Sequence, residues 1–78
     1  MRVNEVLTFL HAEPFQPFVI HMADGERLPV NHEDFVNVAP SGRVMTVFLP
    51  DDSFRVLDMV MITQLEILAG NGAKKRRK

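Results

Sequence analysis

The stretch from Pro14 to Gly25, PFQPFVIHMADG, decides the fold of this chain. Pro14 and Pro17 end any helix before them and keep the chain extended, because proline lacks a backbone N–H and restricts the residue that precedes it. The apolar run that follows ends in Asp24-Gly25, a dipeptide typical of a two-residue β-hairpin turn. The sequence therefore predicts that the β part of the domain begins here.

A short helix is predicted before this stretch, over residues 3–12. Four apolar residues recur there at helical spacing: Val3, Val6, Leu7 and Leu10. Asn4 is the candidate N-cap, and Pro14 ends the segment. A helix of about ten residues is too short to be stable alone, so it must pack its apolar stripe on the sheet.

Short apolar segments alternate with turns in the rest of the chain. The predicted strands cover residues 18–23, 26–30, 35–39, 44–49, 54–57 and 63–68. Pro29 favours an edge position for its strand. The pattern predicts an α+β domain over residues 1–68, with a short N-terminal helix followed by a small bent antiparallel sheet or a partly open β-barrel. The alternative is an open antiparallel sheet with the helix across one face.

Composition excludes several classes of protein. The chain has 78 residues, enough for one domain, and 46% are hydrophobic, enough for a core. The absence of cysteine excludes disulfides, thiolate catalysis and thiolate metal sites. The apolar segments fall far short of the ~20 residues that span a bilayer. These features predict a cytoplasmic protein that does not insert into a membrane.

The net charge of −1 hides a division between an acidic body and a basic tail. Residues 1–73 contain four arginines and all ten acidic residues, which gives −6, whereas residues 74–78 carry five positive charges. Residues 69–78 are predicted to be a flexible linker and basic tail. The candidate nucleic-acid-binding residues are Lys74, Lys75, Arg76, Arg77 and Lys78. They would contact RNA or DNA without sequence preference.

Residues with catalytic or metal-binding potential are few. Ser41 and Ser53 lie in predicted turns, and no neighbouring base suits a nucleophile. His11, His21 and His32 are ten and eleven residues apart, which does not match zinc-ligand spacing. The prediction is therefore a protein that is not an enzyme and needs no cofactor or metal.

Apolar residues in the second half of the chain predict self-association. Residues 44–49 and 59–62 need cover on both faces, and one short helix covers only one. The candidate interface residues are Val44, Met45, Phe48, Met59 and Met61. A closed barrel that buries these residues unaided is the alternative.

Two resemblances accompany these patterns. The segment from His11 to Gly25, together with Ile62-Thr63-Gln64-Leu65-Glu66, resembles a family of short uncharacterised bacterial proteins. Its members share a helix, a PFxPF step, an Asp-Gly hairpin and a closing IxxLE-like strand. The likeness runs to Leu68 and implies the domain boundary, but it implies no activity.

The order of elements also resembles, more distantly, the Sm-like small barrels, including the RNA-binding Hfq type. That resemblance implies a helix packed on a bent sheet and ring-like assembly on RNA. Residues 58–61, Asp-Met-Val-Met, stand where the Hfq type carries Tyr-Lys-His residues that help line its uridine pocket. Pro29 replaces a flexible glycine bend. The resemblance therefore concerns architecture more than the RNA pocket.

Together these features predict a small non-catalytic binding or assembly module. It would form a homo-oligomer, with a basic tail that contacts nucleic acid. The alternative is a protein–protein adaptor whose partner is another protein and whose tail is incidental.

Overall fold

The computed structural model describes residues 1–68. One helix and six strands follow one another along this part of the chain: α1 (Val3–Leu10), β1 (Phe18–Met22), β2 (Arg27–Val30), β3 (Val36–Val38), β4 (Val44–Phe48), β5 (Phe54–Asp58) and β6 (Ile62–Ile67). Single 3-10 turns, Glu33–Phe35 and Met59–Met61, precede β3 and β6. The predicted α+β class, with one short N-terminal helix and antiparallel strands, is confirmed.

The strands form two antiparallel sheets of three strands each. We call the sheet with strand order β2-β1-β6 the first sheet and the one with order β3-β4-β5 the second sheet. Within residues 1–68 no strand pairing joins them, so they are not closed into a barrel. The 3-10 turn Glu33–Phe35 separates β2 from β3 and is capped by His32, whose Nδ1 accepts from the Asp34 N–H at 3.1 Å. Two sheets therefore replace the predicted single bent sheet.

The helix α1 is shorter than predicted and begins differently. Arg2, not Asn4, is the N-cap residue, and its N–H donates to Glu5 Oε1 at 3.1 Å. The helix ends before His11, whose N–H donates to the Leu7 carbonyl at 2.9 Å. Within residues 1–68 no helix is long and apolar enough to cross a membrane.

The core lies between α1 and the inner faces of both sheets. Phe18, at the start of β1, is fully buried, and the ring of Phe9 meets it edge-on at 5.4 Å. The helix and all six strands contribute, directly or through the adjoining 3-10 turn, to one buried cluster: Val6, Leu10, Phe18, Ile20, Leu28, Val30, Val36, Met45, Val47, Leu57, Met59 and Ile62. One core thus holds both sheets in a single unit.

The β1–β2 connection places Gly25 at positive φ and corrects the predicted turn length. Gly25 has a φ of 92°. The Met22 N–H donates to the Glu26 carbonyl at 2.9 Å, and the Gly25 N–H donates to the Met22 carbonyl at 2.9 Å. These bonds close a three-residue loop, Ala23-Asp24-Gly25, in which a residue in the left-handed region follows the turn. The two-residue turn predicted from Asp-Gly is therefore wrong.

Candidate interaction surface

An apolar patch covers the outer face of β4 and β5. Side chains alternate between the faces of a strand, so the buried Met45, Val47 and Leu57 point inward and their neighbours point outward. The outward residues on these strands are mostly apolar. Val60 and Met61 continue this surface in the next turn: Val60 shares a hollow with Val44, and Met61 shares a cleft with Val56. We call this surface the β4–β5 patch: Val44, Phe48, Phe54, Val56, Val60 and Met61.

Exposure is greatest along β5 and just after it. Phe54 is 57% exposed, Val56 64% and Val60 74%. Phe48 lies opposite Phe54 in the strand register, and their ring centroids are 5.8 Å apart. The patch therefore presents two adjacent phenyl rings and branched aliphatic side chains to solvent.

The outer face of the first sheet is polar in the corresponding place. His21 Nε2 and Glu66 Oε1 lie 2.8 Å apart across β1 and β6, and Arg27 Nη2 lies 3.9 Å from the same carboxylate oxygen. These polar side chains lie on the outer face of the first sheet, where polar residues are usual. The two sheets therefore differ in what they offer a partner.

The structure divides the predicted interface residues into two groups. Val44, Phe48 and Met61 are exposed and belong to the patch, whereas Met45 and Met59 are 1% and 3% exposed and lie in the core. Met45 faces inward because it pairs with the buried Leu57 in the β4–β5 register. The side chains of Met45 and Met59 are therefore not available to a partner of the folded chain.

Sequence analysis missed three members of the patch, Phe54, Val56 and Val60. The sequence of β5 does show that Phe54 and Val56 share one face, because they alternate with Arg55 and Leu57. An alternating strand has one inner and one outer face, and here the apolar residues occur on both. Only the burial of Leu57 shows which face is outer.

The free edge of β5 lies beside the patch. The β4–β5 hairpin is closed at one end by the Leu49 N–H donating to the Ser53 carbonyl at 2.8 Å, and at the other by the Met59 N–H donating to the Arg43 carbonyl at 2.8 Å. Antiparallel pairs alternate in hydrogen bonding, so between these bonds the N–H and C=O groups of Phe54, Val56 and Asp58 point away from β4. In the part of the chain that the structure describes, no other strand pairs with β5.

A cleft runs between this edge and the β1–β2 turn. Its lining includes Met22, Asp24 and Asp58. Arg55, on the inner face of β5, reaches across it to Glu26, with Nη2 and Oε2 3.2 Å apart. The cleft is thus bridged by one ion pair, and a further carboxylate lies to each side.

Both serines serve local turns. Ser41 Oγ accepts from the Arg43 N–H at 3.2 Å, and the Ser53 hydroxyl donates to Asp51 Oδ1. That hydroxyl and the Ser53 N–H hold the pKa of the Asp51 carboxyl below its usual range. Neither serine adjoins a histidine through a hydrogen bond that the structure describes.

The histidines are dispersed. His11 follows α1, His21 pairs with Glu66, and the ring of His32 lies 6.3 Å from that of Phe15 and 6.0 Å from that of Phe35. Among residues 1–68, no group of three or more histidine, aspartate or glutamate side chains is placed to hold a metal ion. The candidate nucleic-acid-binding residues 74–78 lie outside the described residues.

Comparison of the chain with protein-family models, with curated proteins and with solved structures found no significant match.

Proposed function

We propose that this protein is a small non-catalytic binding and assembly module that self-associates through the β4–β5 patch. The observation that carries the proposal is the exposure of this apolar surface, centred on Phe54 and Val56, which are 57% and 64% exposed. Each Å² of apolar surface left in water is unfavourable by about 25 cal/mol relative to its burial. Contiguous apolar patches on small proteins are typical of interaction sites.

The composition of the patch supports contact with a protein surface. Phenylalanine and methionine are enriched where proteins meet, and charged residues are depleted from the centre of such contacts. The patch contains Phe48, Phe54 and Met61 and no charged residue. Two copies can therefore bring apolar residues of the patch side by side, with Asp58 beside them on the same face of β5.

The small size of the chain favours a second copy as the partner. A chain of this length buries only about 60% of the surface that it exposes when unfolded. Association buries more apolar surface and adds stability that grows with protein concentration. The same patch therefore serves assembly and stability together.

Light scattering of the purified full-length protein tests the proposal. We expect a mass above the 8.9 kDa of one chain at micromolar concentration, and a melting temperature that rises over a roughly hundredfold increase in concentration. Phe54→Ser should lower the mass towards that of a monomer. Ile67→Ser is the matched control, because Ile67 is 48% exposed but lies on the first sheet. A monomer across the whole range would contradict self-association.

The basic tail supports a second activity, non-specific contact with RNA or DNA. Five consecutive cations, residues 74–78, follow a body whose charge is −6 from four arginines and ten acidic residues. Lysine and arginine side chains neutralise phosphates and release counterions, so binding would weaken with salt, with a slope of up to about 4.5 on logarithmic axes for duplex DNA.

A chain that ends at Ala69 tests this activity against the full-length protein. Fluorescence anisotropy with DNA and RNA at two salt concentrations should show binding by the full-length chain only. Equal binding by both chains would place the contact on the body and contradict the role of the tail. If neither chain binds, the adaptor function becomes the better proposal, with another protein on the β4–β5 patch.

A further inference from the structure

Four strand edges end the two sheets, and three of them carry features that hinder pairing with another chain. β2 has Pro29 inside the strand, and β3 is only three residues long. β6 has Gln64 and Glu66 among its residues, and its register with β1 shifts beside His21. Proline, short length, charge and bulges all protect sheet edges.

The edge of β5 lacks three of these features, namely proline, short length and a register shift, although its strand contains Arg55 and Asp58. Phe54–Asp58 is five residues long and contains no proline or lysine, and its register with β4 is unbroken. The N–H and C=O groups of Phe54, Val56 and Asp58 point outward beside the most exposed strand residues of the β4–β5 patch. Such an edge is a template for another strand.

We infer that β5 of one copy pairs antiparallel with β5 of a second copy, about a two-fold axis at Val56. The inference rests on the proposed self-association and specifies its geometry. The two second sheets then become one continuous sheet of six strands. The apolar outer faces of both copies lie on the same side of it, because a two-fold axis perpendicular to a sheet preserves its faces.

The outward backbone groups match this arrangement. Val56 lies opposite Val56 of the second copy, and Phe54 lies opposite Asp58 of the second copy. By symmetry, Asp58 lies opposite Phe54 of the second copy, which makes three pairs. All three join residues whose N–H and C=O groups point away from β4. Each pair exchanges two hydrogen bonds, so the contact forms about six.

Charges do not oppose this pairing. The two copies of Asp58 are offset by four residues, about 14 Å along the strand, which exceeds the screening length of about 8–10 Å. Arg55 is neutralised by Glu26 at 3.2 Å within each copy.

The geometry also closes the strand pairing at two copies. An isologous contact uses the same edge of both subunits and closes on itself. After pairing, the edges that remain on both sheets are β2, β3 and β6, which carry protecting features. Pairing through β5 should therefore stop at two copies, without growth into fibres through the remaining strand edges.

Single-cysteine variants test the axis, because the natural sequence contains no cysteine. In a hydrogen-bonded antiparallel pair the Cα atoms are about 5.5 Å apart, which lies within the range that a disulfide spans. Val56→Cys should therefore form covalent dimers under mild oxidation. Val60→Cys is the control, since Val60 is 74% exposed but lies four residues from the axis. We expect Val56→Cys to cross-link about tenfold faster than Val60→Cys.

A backbone variant tests the edge separately. Val56→Pro removes an N–H that β4 does not use, and proline is tolerated on an edge strand when its missing N–H faces solvent. We expect this variant to keep a folded circular dichroism spectrum and elute as a monomer. Val56→Thr, which retains the N–H, should remain a dimer. If Val56→Pro fails to fold, the cysteine variants still decide the geometry.

The outcomes separate this inference from the function on which it rests. A dimer in light scattering whose Val56→Cys variant cross-links no faster than Val60→Cys overturns the β5 pairing and leaves self-association standing. A monomer at all concentrations overturns both. Folded Val56→Pro protein that remains dimeric also overturns the β5 pairing.

Discussion

The two sheets share the same number and arrangement of strands but differ in the chemistry of their outer faces. Each has three antiparallel strands and buries its inner face in the same core. The outer face of the first sheet carries the His21–Glu66 pair at 2.8 Å, while that of the second carries the Phe48–Phe54 ring pair at 5.8 Å. Folding constrains the inner residues of a strand, so the outer residues are free to differ. The second sheet is therefore the one suited to a partner.

The hairpin loops of the two sheets also differ, in the type of residue that adopts a positive φ. The β1–β2 loop places Gly25 in the left-handed region, with a φ of 92°. The β4–β5 loop repeats its hydrogen bonds, with the Leu49 N–H donating to Ser53 and the Asp52 N–H donating to Leu49, but it places Asp52 there, at 73°. Glycine adopts this conformation without strain, whereas aspartate adopts it at some cost. The first sheet thus has the more relaxed turn.

The largest expected effect separates the inner residues of the first sheet from the outer residues of the second. Phe18→Ala should lower the free energy of unfolding by about 3–5 kcal/mol, because the ring is fully buried and contacts two other phenyl rings. Phe54→Ala should lower it by less than about 1 kcal/mol in dilute solution, where copies are apart. Urea titration of both variants measures the difference. Equal losses would mean that the Phe54 ring belongs to the core.

A smaller effect is expected at the turn of the first sheet. Gly25→Val should destabilise by more than about 1 kcal/mol, because a β-branched residue fits poorly at positive φ. A Cβ at Gly25 would meet no atom within 4 Å, so the loss comes from the backbone alone. Gly25→Asn is the control and should lose less, since asparagine tolerates this region. An unchanged melting temperature in Gly25→Val would contradict the loop geometry.

The turn of the second sheet should respond in the opposite direction. Asp52→Gly should raise the free energy of unfolding by up to about 1 kcal/mol, because relief of strain at a φ of 73° exceeds the entropy that glycine adds to the unfolded chain. Thermal unfolding of Asp52→Gly and Asp52→Ala measures this, and only the glycine variant should gain stability. A loss in Asp52→Gly would show that the two loops are equally relaxed.

The positions of the strands were predictable because they depend on local signals. Proline at 14 and 17, alternation of side chains and turn residues placed β1, β4 and β5 within a residue or two. The division into two sheets was not predictable. The polar residues 31–34 between β2 and β3 fit an ordinary loop and do not indicate that β3 leaves the first sheet.

The candidate surface was only partly predictable for a related reason. β4 is apolar on both faces, so alternation shows which residues share a face but not which face is inner. The pairing of Met45 with the buried Leu57 decides it, and that contact joins residues twelve positions apart in sequence. Val44 and Phe48 were therefore identified together with a core methionine.

The smallest expected effect concerns the charge in the turn of the second sheet. The Ser53 hydroxyl and N–H both donate to Asp51 and lower the pKa of its carboxyl. A carboxyl whose pKa is lower in the folded state adds stability above its unfolded pKa and loses it as pH falls through the folded pKa. Asp51 is exposed, so the resulting change in unfolding should be slight, and the pKa itself is the better measurement.

Ser53→Ala should raise the pKa of Asp51 towards its ordinary value. The larger of its two donors is lost, and the N–H, 3.0 Å from Oδ1, remains, so part of the lowering should persist. Titration of the Asp51 carboxyl carbon by NMR measures the change. Ser41→Ala is the control, because Ser41 bonds to Arg43 in the preceding turn and should leave the pKa of Asp51 unchanged. An unaltered pKa in Ser53→Ala would mean that the backbone N–H at position 53, without the hydroxyl, lowers the pKa of the Asp51 carboxyl.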